Sequence, residues 1–184
     1  MISEGRVILL SEMFAGLTVE EARRRAGEIM QQGKTYPGYN PSSTADLQEC
    51  IVLVSAGLVT DIDVIQLKNI DLSEVTSQQM NLLLGVVRRG VYLENIKLSA
   101  SQTEAVFSSM SRLNEDIYLC DGVDIDVAAA TEALRRITGR VRGKGIECWG
   151  VSMNKYRQGM GQWAAVLGWR YQDCGRHIMI NKEG

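Results

Sequence analysis

Aromatic and charged side chains recur at alternate positions of stretches that read as β-strands. Because successive side chains of a strand point to opposite faces of a sheet, residues at every second position share one face. Tyr92, Tyr118 and Trp149 would then stand side by side, and aromatic rings next to charges are common on protein and peptide recognition surfaces. We therefore predict a binding surface with these members: Gln66, Lys68, Tyr92, Glu94, Tyr118, Glu147 and Trp149. The alternative, that the aromatic residues only cover the sheet, stays open.

Few residues could act in catalysis. The sequence has one histidine, His177, which excludes any site that needs two. Cys174 and His177 have the spacing C-x-x-H before a predicted strand, and could form a nucleophile and its base, although a surface turn explains the spacing better. A hydrolase that uses this pair is the least favoured of our hypotheses. We predict that the protein is not an enzyme.

Candidate metal ligands lack the spacing of a metal site. The three downstream cysteines and His177 contain no C-x-x-C pair. The aspartates between positions 116 and 126 lack the glycine and the terminal glutamate of a calcium-binding loop, and Asp126 is better explained as a helix cap. No glycine pattern followed by Lys-Ser or Lys-Thr indicates a nucleotide loop. We predict no metal and no cofactor.

A repeated phrase indicates where the strands lie. Residues 65–73 read IQLKNIDLS and residues 91–99 read VYLENIKLS, at an offset of 26 residues. Similar openings follow at Ile117 after 26 residues, at Ile146 after 29 and at Ile178 after 32. This period predicts repeats of strand, turn and helix, each covering its neighbour. Strands pack more closely than helices, so the stack would curve, with a parallel sheet on the concave side and helices on the convex side.

Residues 1–60 differ from the repeats at 61–184 and are predicted to form an N-terminal helical cap. Two helices are expected, over 19–32 and 45–58. Between them, the segment 33–44 holds both prolines of the chain and is predicted as a loop. The secondary structure of residues 1–17 stays open.

Capping signals predict where the helices begin. A hydroxyl residue followed three positions later by Glu or Gln can form a capping box, in which each side chain bonds the other residue's backbone amide. Ser43 or Thr44 is the expected cap of the second helix. The capping-box pattern precedes three predicted helices: Thr18 with Glu21, Thr76 with Gln79, and Ser101 with Glu104.

The strand–turn–helix phrase, with its ending L-x-x-(I/V)-x-L, resembles leucine-rich repeats of the ribonuclease-inhibitor type. It is most similar to the degenerate C-terminal repeats of NOD-like innate immune receptors. The resemblance covers residues 61–184 and implies an α/β leucine-rich-repeat solenoid, a short horseshoe of about four repeats and a final strand. One departure concerns the Asn or Cys that usually follows the strand and bonds the turn backbone. That place is assigned to Ile70, Ile96, Val123 and Val151.

Composition and charge exclude several classes of function. The chain has 184 residues, of which 45% are hydrophobic and 23% charged, as in ordinary globular proteins. A formal net charge of −2 provides no basic surface for nucleic acid. The sequence has no run of 18 apolar residues, so we expect no membrane-spanning helix. Four scattered cysteines favour free thiols in a reducing compartment, so we predict a cytoplasmic protein.

The resemblance implies a non-catalytic module that recognises a protein or a microbial ligand. It would be the sensing or autoinhibitory part of a larger cytosolic receptor and would bind through its concave face. The strand at Ile178 is expected to end the stack with a bare edge, which predicts either self-association through the C-terminal repeat or a continuation of the repeats in a longer parent chain. The alternative is a self-contained scaffold or inhibitor that acts through the N-terminal helices and loop 33–44. Repeat surfaces bind many kinds of ligand, so the fold does not identify this one.

Overall fold

The computed structural model describes residues 16–32 and 38–182 and shows an α/β protein built on one mixed sheet of six strands. The strands lie in the spatial order β1-β2-β3-β4-β6-β5. Their bounds are Ile62–Lys68 (β1), Val87–Glu94 (β2), Asp116–Leu119 (β3), Gly145–Trp149 (β4), Arg170–Asp173 (β5) and His177–Asn181 (β6).

The strands β1 to β4 are parallel neighbours, and their register follows the sequence repeat. Ile65 pairs with Val91, Val91 with Ile117, and Ile117 with Ile146. The predicted offsets of 26, 26 and 29 residues are therefore confirmed for these strands. All four of these residues are buried beneath the helices, because the alternation of a strand sends them to the same face of the sheet.

The prediction that every strand is parallel is wrong for the C-terminal part. Strand β6 runs antiparallel to β4, so that Ile178 pairs with Cys148 and does not open a fifth parallel repeat. The cause is the short turn before β6. There Asp173 accepts the Gly175 amide hydrogen, and Gly175 adopts a positive φ of 83°. A turn this short joins antiparallel strands, whereas a parallel crossover needs a dozen residues or more.

This β-hairpin also changes the expected edge of the sheet. Strand β6 lies between β4 and β5 and has a hydrogen-bonded neighbour on each side. The predicted bare edge at Ile178 is therefore wrong, and β5 is the edge strand. The charged residues Arg170 and Asp173 stand at its two ends, a composition that opposes edge-to-edge pairing.

One helix before β1 and further helices after β1, β2, β3 and β4 are successive neighbours and form a row on one face of the sheet. Their buried faces and the inward strand residues make one hydrophobic core, in which Phe107 packs against Trp163 at 5.1 Å between ring centroids. The described helices are Val19–Gln32 (α1), Thr44–Ser55 (α2), Ser77–Leu84 (α3), Ala100–Ser108 (α4), Val127–Ile137 (α5), Val151–Lys155 (α6) and Arg157–Leu167 (α7).

Most of the predicted helix caps are present. Thr18 with Glu21 and Thr76 with Gln79 form reciprocal backbone hydrogen bonds, and Ser43 and Asp126 cap α2 and α5.

The predicted pair of Ser101 and Glu104 is wrong, because the capping box before α4 uses Ser99 and Gln102. The Gln102 side-chain amide also donates to the carbonyls of Leu72 and Val75, at 2.8 and 2.7 Å. These buried bonds to the preceding turn select Gln102 as the partner.

The turns after β1 and β2 each contain an asparagine in a left-handed backbone conformation. Asn69 and Asn95 have positive φ angles of 55° and 45°, and the Asn95 side-chain amide donates to Asn69 Oδ1 at 2.6 Å. Ile70 and Ile96, which the sequence analysis assigned to the usual asparagine place, follow directly after these residues and are buried in the core. Asparagine tolerates the left-handed conformation that these turns require.

The predicted N-terminal cap contacts the β1 side of the sheet. Tyr39 donates its amide hydrogen to the Val64 carbonyl and accepts from the Gln66 amide, and its side chain is buried. In α1, Met30 approaches the Cys50 sulfur of α2 at 3.8 Å. The segments 1–15 and 33–37 lie outside the described residues, so the predictions for 1–17 and for loop 33–44 are covered only in part. No described helix is long and apolar enough to cross a membrane.

Candidate binding site

The sheet face opposite the helix row, here called the open face, carries the predicted row of side chains. Strand register aligns Gln66 with Tyr92, Tyr92 with Tyr118, and Tyr118 with Glu147. The rings of Tyr92 and Tyr118 are tilted by 37°, with centroids 6.3 Å apart. Gln66 and Glu147 are buried, whereas both tyrosines remain partly accessible. The structure thus brings the predicted row together.

Two residues further along β1 and β2, on the same face of the sheet, there is an ion pair. Lys68 pairs with Glu94 across β1 and β2, and the Lys68 ammonium lies 3.2 Å from Glu94 Oε2. The other carboxylate oxygen accepts a hydrogen bond from the Tyr92 hydroxyl at 3.2 Å. Glu94 therefore holds the hydroxyl end of Tyr92 in place while its own charge is partly balanced.

Trp149 forms the wall at the end of β4. Its indole is stacked on His177, with ring centroids 4.1 Å apart and an interplanar angle of 7°. The indole N–H donates to Glu147 Oε1 at 3.2 Å, and the tryptophan keeps 36% of its surface exposed. His177 joins the site because β6 is antiparallel to β4, which pairs His177 with Trp149.

Glu147 has a second carboxyl near it on the open face, the half-buried Asp116, which the sequence analysis missed. Burial and a hydrogen bond with Glu147 raise the pKa of Asp116 from its ordinary value of 3.8 to about 7. Asp116 comes two residues before Tyr118 on β3, so reading the alternation backwards as well as forwards would have found it.

Tyr92, Tyr118 and Trp149 line a cleft of about 620 Å³ on the open face. Arg89 lines it but is engaged by Asp63 at 3.3 Å and by Glu115 at 3.1 Å. Burial raises the pKa of Tyr118 to about 12, with Asp116 and Glu147 adding to the effect, so its phenol is neutral. The residues that line the cleft include Arg89, Tyr92, Glu94, Glu115, Tyr118, Asp121 and Trp149.

The geometry offers little for nucleophilic catalysis by a thiol. Burial raises the pKa values of Cys120 and Cys148, which favours the unreactive thiol form. Cys174 donates its backbone amide to the His177 carbonyl, which makes a hairpin turn, while the His177 ring stacks on Trp149. Among the described residues, no group of three or more His, Cys, Asp or Glu side chains could hold a metal ion.

Comparison with known proteins gives no match. No family model matches the chain, and neither the curated proteins nor the solved structures contain a significantly similar one.

Proposed function

We propose that this protein is a non-catalytic recognition module that binds a protein or peptide ligand through the open face. The observation that carries the proposal is the cleft of about 620 Å³ walled by Tyr92, Tyr118 and Trp149. Partly exposed aromatic side chains on a sheet cost free energy in water, and they are the residue types that contribute most to binding when a partner covers them.

The positions of these aromatic side chains are already set in the protein alone. Tyr92 is held by Glu94, and Trp149 is held by Glu147 and His177. Side chains that are ordered before binding lose little conformational entropy when a ligand arrives. This preorganisation favours recognition over the alternative that the rings only cover the sheet.

We further propose that residues 62–149 form a short arc of leucine-rich-repeat type and act as the sensing part of a cytosolic innate immune receptor. The repeat register of β1 to β4, one helix for each strand and the hydrogen bond between Asn69 and Asn95 support the arc. The receptor assignment is supported by the sequence resemblance alone.

The test is a pull-down from cell extract with the native chain and with the triple variant Tyr92→Ala, Tyr118→Ala, Trp149→Ala. The matched control is Tyr171→Ala, because Tyr171 is 39% exposed and faces the opposite side of the sheet. We expect a partner that the native chain and the control retain and the triple variant loses. Circular dichroism establishes that each variant is folded, and the single variant Trp149→Ala replaces the triple variant if the latter unfolds.

An unchanged set of partners in a folded Trp149→Ala variant and a folded triple variant would contradict the proposal. The binding site would then move to the helix layer or to the N-terminal region. That outcome favours the alternative of a scaffold or inhibitor that acts through its N-terminal helices and loop 33–44. Substitutions in the described parts of those segments, such as Glu49→Ala, would test this alternative next.

A further inference from the structure

The cleft has more acidic than basic groups. Three carboxylates line it, from Glu94, Glu115 and Asp121, and Arg89 is the cation that lines it. Arg89 is already paired with Glu115 and with Asp63, at 3.1 and 3.3 Å. Lys68, next to the cleft, pairs with Glu94 at 3.2 Å. With Lys68 counted beside Arg89, three carboxylates face two cations, so the local charge is still negative, which attracts cations and repels anions.

Two hydrogen-bond donors on the cleft wall are used internally, whereas carboxylate acceptors remain for a ligand. The Tyr92 hydroxyl donates to Glu94, and the Trp149 indole N–H donates to Glu147. One oxygen of Asp121 accepts the amide hydrogen of Val151 at 2.7 Å. Each carboxylate has about four acceptor positions, so these bonds leave several that a ligand can use.

The aromatic walls favour the same kind of ligand. The face of a tyrosine or tryptophan ring has a negative electrostatic potential and attracts ammonium and guanidinium groups. Tyr92, Tyr118 and Trp149 combine such faces with the neighbouring carboxylates. A cation placed here is attracted by both the rings and the carboxylates, whereas the same groups repel an anion.

We propose that the cleft binds an extended peptide segment through positively charged side chains, arginine or lysine. This inference rests on the proposed recognition function and defines the class of its ligand. The cleft extends from Val64 on β1 to Trp149 on β4, across three strand spacings. At about 4.8 Å for each spacing this is about 14 Å, the length of about four residues of extended chain.

The test uses fluorescein-labelled heptapeptides with the sequence Gly-Ala-X-Ala-X-Ala-Gly. The residue X is arginine, lysine, citrulline or glutamate, and alternate positions point to the same side of an extended peptide. Citrulline keeps the shape and hydrogen-bonding surface of arginine without its charge. Fluorescence anisotropy should give dissociation constants about tenfold lower for the arginine and lysine peptides than for the citrulline peptide, with no binding of the glutamate peptide.

The variant Glu94→Gln, Glu115→Gln should remove most of the preference for charge. Its matched control is Glu104→Gln, Glu132→Gln, which changes the net charge equally on the helix layer, where both side chains pair with Arg136. Equal binding of the arginine and citrulline peptides overturns the proposal. An equal loss of the preference for charged peptides in both double variants overturns it too. Absence of binding by every peptide overturns it as well.

The two proposals fail in different ways. If the peptides show no charge preference but the triple aromatic variant still loses its partner from extract, the open face recognises a ligand of another chemical class. If the extract experiment also shows no loss, the recognition function itself is wrong. A second copy of this chain as the ligand would appear as a concentration-dependent increase in mass in light scattering, and this result would also overturn the peptide proposal.

Discussion

The indole of Trp149 lies nearly parallel to the imidazole of His177, with ring centroids 4.1 Å apart. The two residues are paired across β4 and β6, the antiparallel neighbours in the sheet. This contact makes the C-terminal hairpin part of the candidate binding site, since His177 supports the side chain that walls the cleft.

We expect the two rings to stabilise each other by about 0.5–1.5 kcal/mol beyond the area that they bury. A double-mutant cycle with Trp149→Ala and His177→Ala, measured by urea unfolding, should give a coupling of this size. The control is a cycle of Trp149→Ala with Arg25→Ala, because Arg25 is exposed on α1 and pairs with Glu28 of the same helix. A cycle with His177 that is as additive as the control would show that the stacking contributes no stability.

Asn95 should be sensitive to replacement by alanine. Its φ of 45° disfavours residues with a Cβ, and its side chain bonds Asn69 at 2.6 Å. Asn95→Ala should lower the free energy of unfolding by about 2 kcal/mol, and Asn95→Gly by about 1, because glycine loses the hydrogen bond but relieves the strain. Asn81→Ala, at an exposed helical position, should have little effect. Equal costs for alanine and glycine at position 95 would contradict the strain argument.

Asp116 should make stability depend on pH. Its pKa of about 7 in the folded protein is above the ordinary value of 3.8, so between these values the folded state keeps a proton that the unfolded state has lost. The contribution of this group is therefore greatest near pH 4 and falls as the pH rises to about 7.

Asp116→Asn imitates the protonated carboxyl at every pH. Relative to the native protein, its stability should rise between pH 4 and pH 8, by on the order of 1–2 kcal/mol after allowance for the partial exposure of this carboxyl. Chemical denaturation at a series of pH values measures this difference. Asp124→Asn, which removes an exposed carboxylate, is the control. Parallel pH profiles for native protein and Asp116→Asn would show that Asp116 titrates normally.

Thr131 should be required for the packing of the largest side chain in the core. Its hydroxyl accepts the indole N–H of Trp163 at 3.0 Å in a buried position. Thr131→Val keeps the shape but leaves that N–H without a partner, which should cost about 1–3 kcal/mol of stability. Thr131→Ser keeps the hydroxyl and should cost less. Thermal unfolding compares the two, and a serine variant less stable than the valine variant would contradict this explanation.

The repeated strand openings at Ile65, Val91, Ile117 and Ile146 were sufficient to predict β1 to β4, their register and the row from Gln66 to Glu147. The physical reason is that the alternation of a strand and the amphipathic period of a helix are local properties. They depend on residues that lie close together in the chain. Capping residues such as Thr76 and Asp126 are local in the same sense.

Tertiary structure decided the direction of β6 and the partners that it brings to the site. The opening at Ile178 looks like its predecessors because an apolar alternation is the same read in either direction. Only the hairpin with β5 makes the strand antiparallel, and this orientation places His177 on Trp149. The raised pKa of Asp116 likewise depends on tertiary structure, because burial and the neighbouring Glu147 cause it and residue spacing does not reveal either.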